Sequence, residues 1–145
     1  MARVVKEEVQ INQRTPGVTL ADGVANVDSE IAVYKVPAKS QIEVRATDFA
    51  GMYLATAVPA ELAASSLVTI VTTDPQNRRT KILAQGEYQQ FKELQDALRK
   101  YYFKGETVIV PADFRLVIKV LATAAADDAQ TRFTISALNV YETLD

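Results

Sequence analysis

From residue 31 onward the chain is written as apolar runs of strand length separated by turn-forming clusters, a pattern that limits it to a fold built on β-strands. The runs fall at 31–36, 41–47, 52–58, 67–73 and 80–83, and they return at 106–110, 114–121 and 131–141. Between them stand Pro37-Ala38-Lys39-Ser40, Asp48-Phe49-Ala50-Gly51 and Asp74-Pro75-Gln76-Asn77. Such clusters supply the fixed φ of proline, the left-handed backbone tolerated by glycine and asparagine, and the backbone hydrogen bonds of short polar side chains. Strands joined by connections this short are antiparallel. Ile42, Val44 and Ala46 fall on one face of their strand while Glu43, Arg45 and Thr47 fall on the other, the alternation of a sheet with one wet side.

An internal repeat sharpens this reading. Residues 33–45 align with residues 107–119, and Val36-Pro37-Ala38 recurs at the same place as Val110-Pro111-Ala112. In both copies a strand ends at valine, a proline-led corner follows and an alternating strand resumes. Proline has no N–H to donate, so it fits where a ladder stops and the chain turns. Two related β units forming a pseudo-symmetric sandwich are expected.

Three segments depart from the strand pattern. Pro59-Ala60-Glu61-Leu62 is suited to opening one short helical turn. Between Glu87 and Phe103, apolar residues Tyr88, Phe91, Leu94, Leu98 and Tyr101 or Tyr102 recur at spacings of three and four, which predicts an amphipathic helix. Lys92 with Asp96 and Asp96 with Lys100 would add opposite-charge pairs worth only ~0.2–0.5 kcal/mol each. Residues 124–128 read as the loop before the closing strand. The first thirty residues mix short apolar pairs with turn formers such as Thr15-Pro16-Gly17 and Asp22-Gly23. They read as an extended N-terminal arm over residues 1–30 attached to a β-sandwich domain over residues 31–145. Val9 and Ile11 alternate with Gln10 and Asn12, so part of that arm is equally suited to pairing as a first edge strand.

Composition closes off most chemistry. The 145 residues contain no histidine, cysteine or tryptophan, which removes thiol nucleophiles, imidazole acid–base catalysis, Cys/His metal sites and disulfides. Sixteen basic residues against eighteen acidic ones leave a net charge of −2, without the positive surplus of a nucleic-acid binder. No apolar run reaches the ~18–20 residues of a membrane helix, and the start Met1-Ala2-Arg3-Val4-Val5-Lys6 lacks an apolar leader core. No nucleic-acid or membrane partner is therefore expected. Glycines form no phosphate loop. Asp127 and Asp128 are adjacent carboxylates, but two carboxylates fall short of the six to eight oxygens that calcium takes, and a solvated loop is the better reading. Ser65 and Ser66 lie far from Lys81 with no nucleophile elbow around them. The basic cluster Arg78-Arg79-Thr80-Lys81 reads as a charged hairpin corner that also blunts an edge. The six tyrosines read better as packing residues than as a sugar platform. No catalytic, cofactor-binding or metal-binding residue is assigned, and no cofactor is expected.

The arm at 1–30, the two Val-Pro-Ala-cornered units at 33–45 and 107–119, and the closing strand at 133–141 together resemble the capsid decoration, or cement, proteins of tailed bacteriophages, including those of thermophilic long-tailed phages. The resemblance implies a mainly β, antiparallel jelly-roll-like or tulip-like sandwich and a non-enzymatic virion protein on the capsid exterior, assembled in the host cytoplasm. It implies the major capsid protein and further copies of the chain, as a homotrimer, for partners, with the arm bridging neighbouring subunits. The helix is a departure from that pattern. An arm that orders on binding can wrap a large surface, and three arms acting together gain from effective concentration. Its apolar residues Val4, Val5, Val9, Ile11, Val18 and Leu20 are the expected capsid or subunit contacts. Competing readings are a carbohydrate- or receptor-binding β-sandwich module of a tail fibre or secreted protein, and an enzyme accessory domain or carboxylate hydrolase.

Overall fold

A computed structural model describes residues 2–45, 49–93 and 107–144. In chain order the elements are β1 (Ala2–Asn12), β2 (Val18–Leu20), β3 (Ser29–Lys35), β4 (Ser40–Arg45), β5 (Phe49–Thr56), β6 (Leu67–Thr73), β7 (Thr80–Glu87), α1 (Tyr88–Glu93), β8 (Thr107–Val110), β9 (Arg115–Leu121) and β10 (Ala126–Leu144). They build two five-stranded antiparallel sheets in a jelly-roll-like arrangement. The first runs β1-β10-β4-β8, with β5 on the same side of β10 as β4; the second runs β2-β3-β9-β6-β7. The nineteen-residue β10 is long enough to serve two partners, with β5 against its earlier half and β4 against Leu138 to Tyr141.

The two Val-Pro-Ala corners are the places where the chain passes between sheets. β3 lies in the second sheet and β4 in the first, while β8 lies in the first and β9 in the second. Because β3 pairs with β9 and β4 with β8, the two repeat units pair with each other, an approximate two-fold relation. The corners share their backbone as well: Lys39 and Asp113, each third after the valine, hold positive φ of 62° and 68°. The Val36 N–H donates to the Phe114 carbonyl at 2.9 Å, and the Asp113 N–H donates to the Val36 carbonyl at 3.1 Å. Proline ends the ladder, the left-handed residue reverses the chain, and the neighbouring corner takes up the freed backbone groups.

Between the sheets lie Ile11, Ile31, Val36, Ile42, Val44, Leu54, Ile70, Val110, Leu116, Ile118 and Ile135, all at 2% exposure or less. Each such side chain contributes about 1.5–3 kcal/mol of transfer free energy, so this layer is what holds the sheets together. Strand alternation delivers it, as in β4, where Ile42 and Val44 point inward and Gln41 and Glu43 do not.

Several expectations need revision. Residues 2–12, expected to extend as an arm, lie as β1 along β10, with Ala2 opposite Leu144 and Asn12 opposite Thr134. Residues 18–20 are β2, paired with β3. Residues 59–62 form no helical turn, because their backbone closes the outer edge of β5: Thr56 N–H donates to Ala60 and Leu62 N–H to Leu54, both at 2.8 Å. Residues 126–128 belong to β10, since Ala126 pairs with both Thr56 and Gly23. The described part of the expected helix is α1, whose Lys92 pairs with Glu61 across the fold. Residues 94–103 of that helix, residues 46–48 and residue 106 lie outside the described residues.

Candidate subunit-contact surface

The six apolar residues expected to make contacts do not form one stripe. Ile11 is fully buried among Tyr34, Leu116, Ile118, Phe133 and Ile135, so in this structure it anchors β1 to its own sandwich. Val9 is half-buried and packs on the same core; Val18 and Leu20 do so from β2, in the other sheet. Val5 is half-buried, and Val4 is 62% exposed. The period of two in a strand explains the division within β1: Val5, Val9 and Ile11 share the face turned toward the second sheet, whereas Val4 shares the outer face with Lys6, Glu8 and Gln10.

That outer face continues across the first sheet. The registers align Glu8 with Leu138, Leu138 with Glu43, and Glu43 with Ile109, a row that alternates acidic and apolar side chains over four strands. An open groove of about 630 Å³ follows it, lined by Glu8, Gln10, Glu43, Thr107, Ser136 and Leu138. Ile109 at its end is 53% exposed. Sequence alternation marked Glu43 as lying on a wet face but carried no sign that four strands would place it in one row with Glu8, Leu138 and Ile109.

Two charged clusters lie elsewhere. Asp22, Asp127 and Asp128 bring carboxylate oxygens within 4.8 Å of one another. The sequence showed only the adjacent pair; Asp22 joins it because the Gly23–Ala126 bridge pins the β2–β3 connection against β10. An added Cβ at Gly23 would stand 3.0 Å from the Ala126 Cβ, so the bridge needs the missing side chain. Within the cluster Asp22 Oδ1 accepts the Asp128 N–H and Asp127 Oδ1 accepts the Ala129 N–H, both at 2.9 Å. Asp128 is pushed above its ordinary range by partial loss of hydration and then by the charges of Asp22 and Asp127. The second cluster is the β6–β7 turn, where Asn77 takes a φ of 58° and the Asp74 carboxylate accepts the Arg78 N–H. It presents Arg78, Arg79 and Lys81 to solvent.

Three tyrosines, Tyr34, Tyr53 and Tyr88, have described side chains, and they form no exposed platform. Tyr34 and Tyr88 are buried, which raises both phenols above 10.0, and Tyr53 instead carries the Arg132 guanidinium 5.8 Å from its ring centre. Among the described residues no serine or lysine is placed as a nucleophile beside a base. Open strand edges and solvated faces are what this arrangement offers, and their chemistry is that of protein–protein contact.

Two antiparallel sheets of this order, with the chain crossing between them at two corners, make a jelly-roll-like fold. Over its whole length the chain is similar in fold to VP17, a capsid protein of bacteriophage P23-77, with a TM-score of 0.71 over 99% of this chain and 100% of that one, at 8% sequence identity. It is likewise similar to the VP16–VP17 complex, a complex of the two major capsid proteins of bacteriophage P23-77, with a TM-score of 0.69 over 93% of this chain and 98% of that one, again at 8% identity. No protein-family model and no curated protein sequence matches the chain.

Proposed function

We propose that the chain is a non-enzymatic structural protein of a phage virion, attached to the capsid exterior, where it bridges neighbouring subunits and stabilises the shell. The observation that carries this reading is the full-length likeness in fold to a capsid protein, covering 99% of this chain and 100% of that one. The absence of histidine and cysteine and the outward-facing strand edges support it. In this reading the partners are the major capsid protein and further copies of the chain in a homotrimer, and the protein is assembled in the host cytoplasm. Residues 1–30 supply the contacts through the exposed Val4 and the half-buried Val5, Val9, Val18 and Leu20, with Ile11 holding β1 in place. Residues 31–145 form the bulk of the sandwich they attach to.

The test is sedimentation of the purified protein alone and mixed with undecorated phage heads. A decoration protein runs as a trimer and joins the head fraction, and it stops joining when residues 1–8 are removed while its fold persists. Spontaneous formation of closed shells without heads would overturn the decoration role in favour of shell building. A protein that ignores heads and forms no shell would overturn the virion reading.

A further inference from the structure

We propose that the free edge of β1 is a homotypic joint, at which two copies of the chain pair β1 to β1 antiparallel and join their first sheets into one. This goes beyond capsid attachment and does not depend on it.

Among the described residues four strands end the two sheets, the outer edge of β5 being closed by residues 60–62, and three of the four are poor templates for another strand. β2 has three residues, β8 has four, and β7 carries a register break opposite Ile70 and Val71 and has Lys81 exposed on it. Short, irregular or charged edges are how folded chains avoid unwanted pairing. β1 is different. Its eleven residues run against β10 with no break in register, and on the other side no strand among the described residues pairs with it.

The sequence of this edge is suited to itself. Residues directly opposite each other in an antiparallel pair share a face. A two-fold axis through Glu7 sets Lys6 of each copy opposite Glu8 of the other, on the outer face, and Val5 opposite Val9 on the inner face. Lys6 and Glu8 are exposed, and neither enters an ion pair among the described residues. Neighbouring registers are worse: an axis through Lys6 opposes two lysines and sets Val4 against Glu8, and one through Glu8 opposes two glutamates without any Lys6–Glu8 pair to offset them, setting Glu7 against Val9. The favoured register sets Glu7 against Glu7 on the axis and, toward its ends, Val4 against Gln10 and Arg3 against Ile11; its gain lies in the two Lys6–Glu8 pairs and the two Val5–Val9 pairs at the centre. A two-fold joint closes on itself, so it links copies in pairs, and in combination with a trimer it ties one trimer to the next.

Roughly nine residues a side is a small contact beside the ~1,600 Å² of a standard stable interface, so the joint is weak for free protein and gains strength from repetition on a surface. The experiment is sedimentation velocity of the full chain over rising concentration, without heads. Reversible doubling of the species present at low concentration is expected, monomer to dimer or, where the chain is a trimer, trimer to a pair of trimers. Lys6→Glu alone and Glu8→Lys alone each weaken dimerisation by about tenfold or more, because both copies' pairs become repulsive, and the double change restores it. Glu7→Gln tightens it by about two- to fivefold. All three positions are exposed, and unchanged thermal unfolding checks that each variant is folded. A chain that does not double at any concentration, single charge changes without effect, or a double change that fails to restore doubling would each overturn the joint. Doubling without head binding would leave the joint standing and the capsid reading refuted; head binding by a chain that never doubles would do the reverse.

Discussion

Tyr88 is the bond between α1 and the outer edge of β5, and its hydroxyl is the sharpest place to perturb the fold. The side chain is 1% exposed; its Oη accepts the Leu54 N–H at 3.1 Å and donates to the Met52 carbonyl at 3.4 Å. In a strand the N–H and C=O of one residue point to the same side. The Leu54 carbonyl takes the Leu62 N–H, so Leu54 turns away from β10 and its N–H depends on Tyr88. Tyr88→Phe keeps the packing of the ring and removes the acceptor, leaving a buried N–H unpaired at a cost of about 1–3 kcal/mol. At ~2–4 °C per kcal/mol for a chain of this size, Tm falls by roughly 2–12 °C. Thermal unfolding and urea titration measure it, with a lower midpoint and an unchanged slope expected. A Tm within about 1 °C of the parent would show that the edge of β5 does not need this hydroxyl. The same substitution has a signature in alkali. Burial holds the Tyr88 phenol above 10.0, so the unfolded chain loses this proton first. The stability tied to the neutral phenol is therefore complete below pH 10 and is lost as the pH rises through the folded value. The phenylalanine variant should lose less stability than the parent across that window, with Tyr34, also raised, contributing equally to both.

Ile11→Ala should destabilise the chain by about 2–5 kcal/mol, whereas Val4→Ala should change stability by less than about 0.5 kcal/mol, a contrast that denaturant titration reads directly. Equal effects would mean that β1 is not held by its inward face. Gly23→Ala places a Cβ against Ala126 and Ile31 at 3.0 and 3.3 Å, and a loss of about 1–3 kcal/mol in the same titration is expected. Asp128→Asn removes one of three crowded carboxylates. Because the carboxyl is raised in the folded chain, the parent gains stability as the pH falls through that value toward 3.8, and the variant should lack this gain. Identical pH profiles of Tm would refute the crowding of Asp22, Asp127 and Asp128.

Legibility followed the range of the forces involved. β6 falls at Leu67–Thr73, where the run of Val, Ile and Thr between turn formers predicted it, and the Asp74–Asn77 turn holds its left-handed asparagine in place. The repeated Val-Pro-Ala corner was visible as a motif, and its role in crossing between sheets follows from where each flanking strand pairs. Residues 2–12 carry the weakest local signal in the chain. Val9 and Ile11 alternate as a strand should, but alternation cannot say whether a partner is present, and the partner is the last strand of the chain. The contact residues shared that ambiguity, since an apolar side chain suited to a foreign surface is equally suited to its own core, where Ile11 resides.

The amino-acid sequence alone determined the β character, the Asp74–Asn77 turn, the corners and the lack of thiol and imidazole side chains, because these rest on backbone dihedrals, a period of two and residue inventory, whereas the turn expected at residues 48–51 is in its described part the start of β5. Only the tertiary structure decided which edges are covered, which face of β1 is buried and that Asp22 meets Asp128, 106 positions away. Strand pairing at such separations is chosen by the register and packing of the whole sandwich, and no local window of residues contains that information.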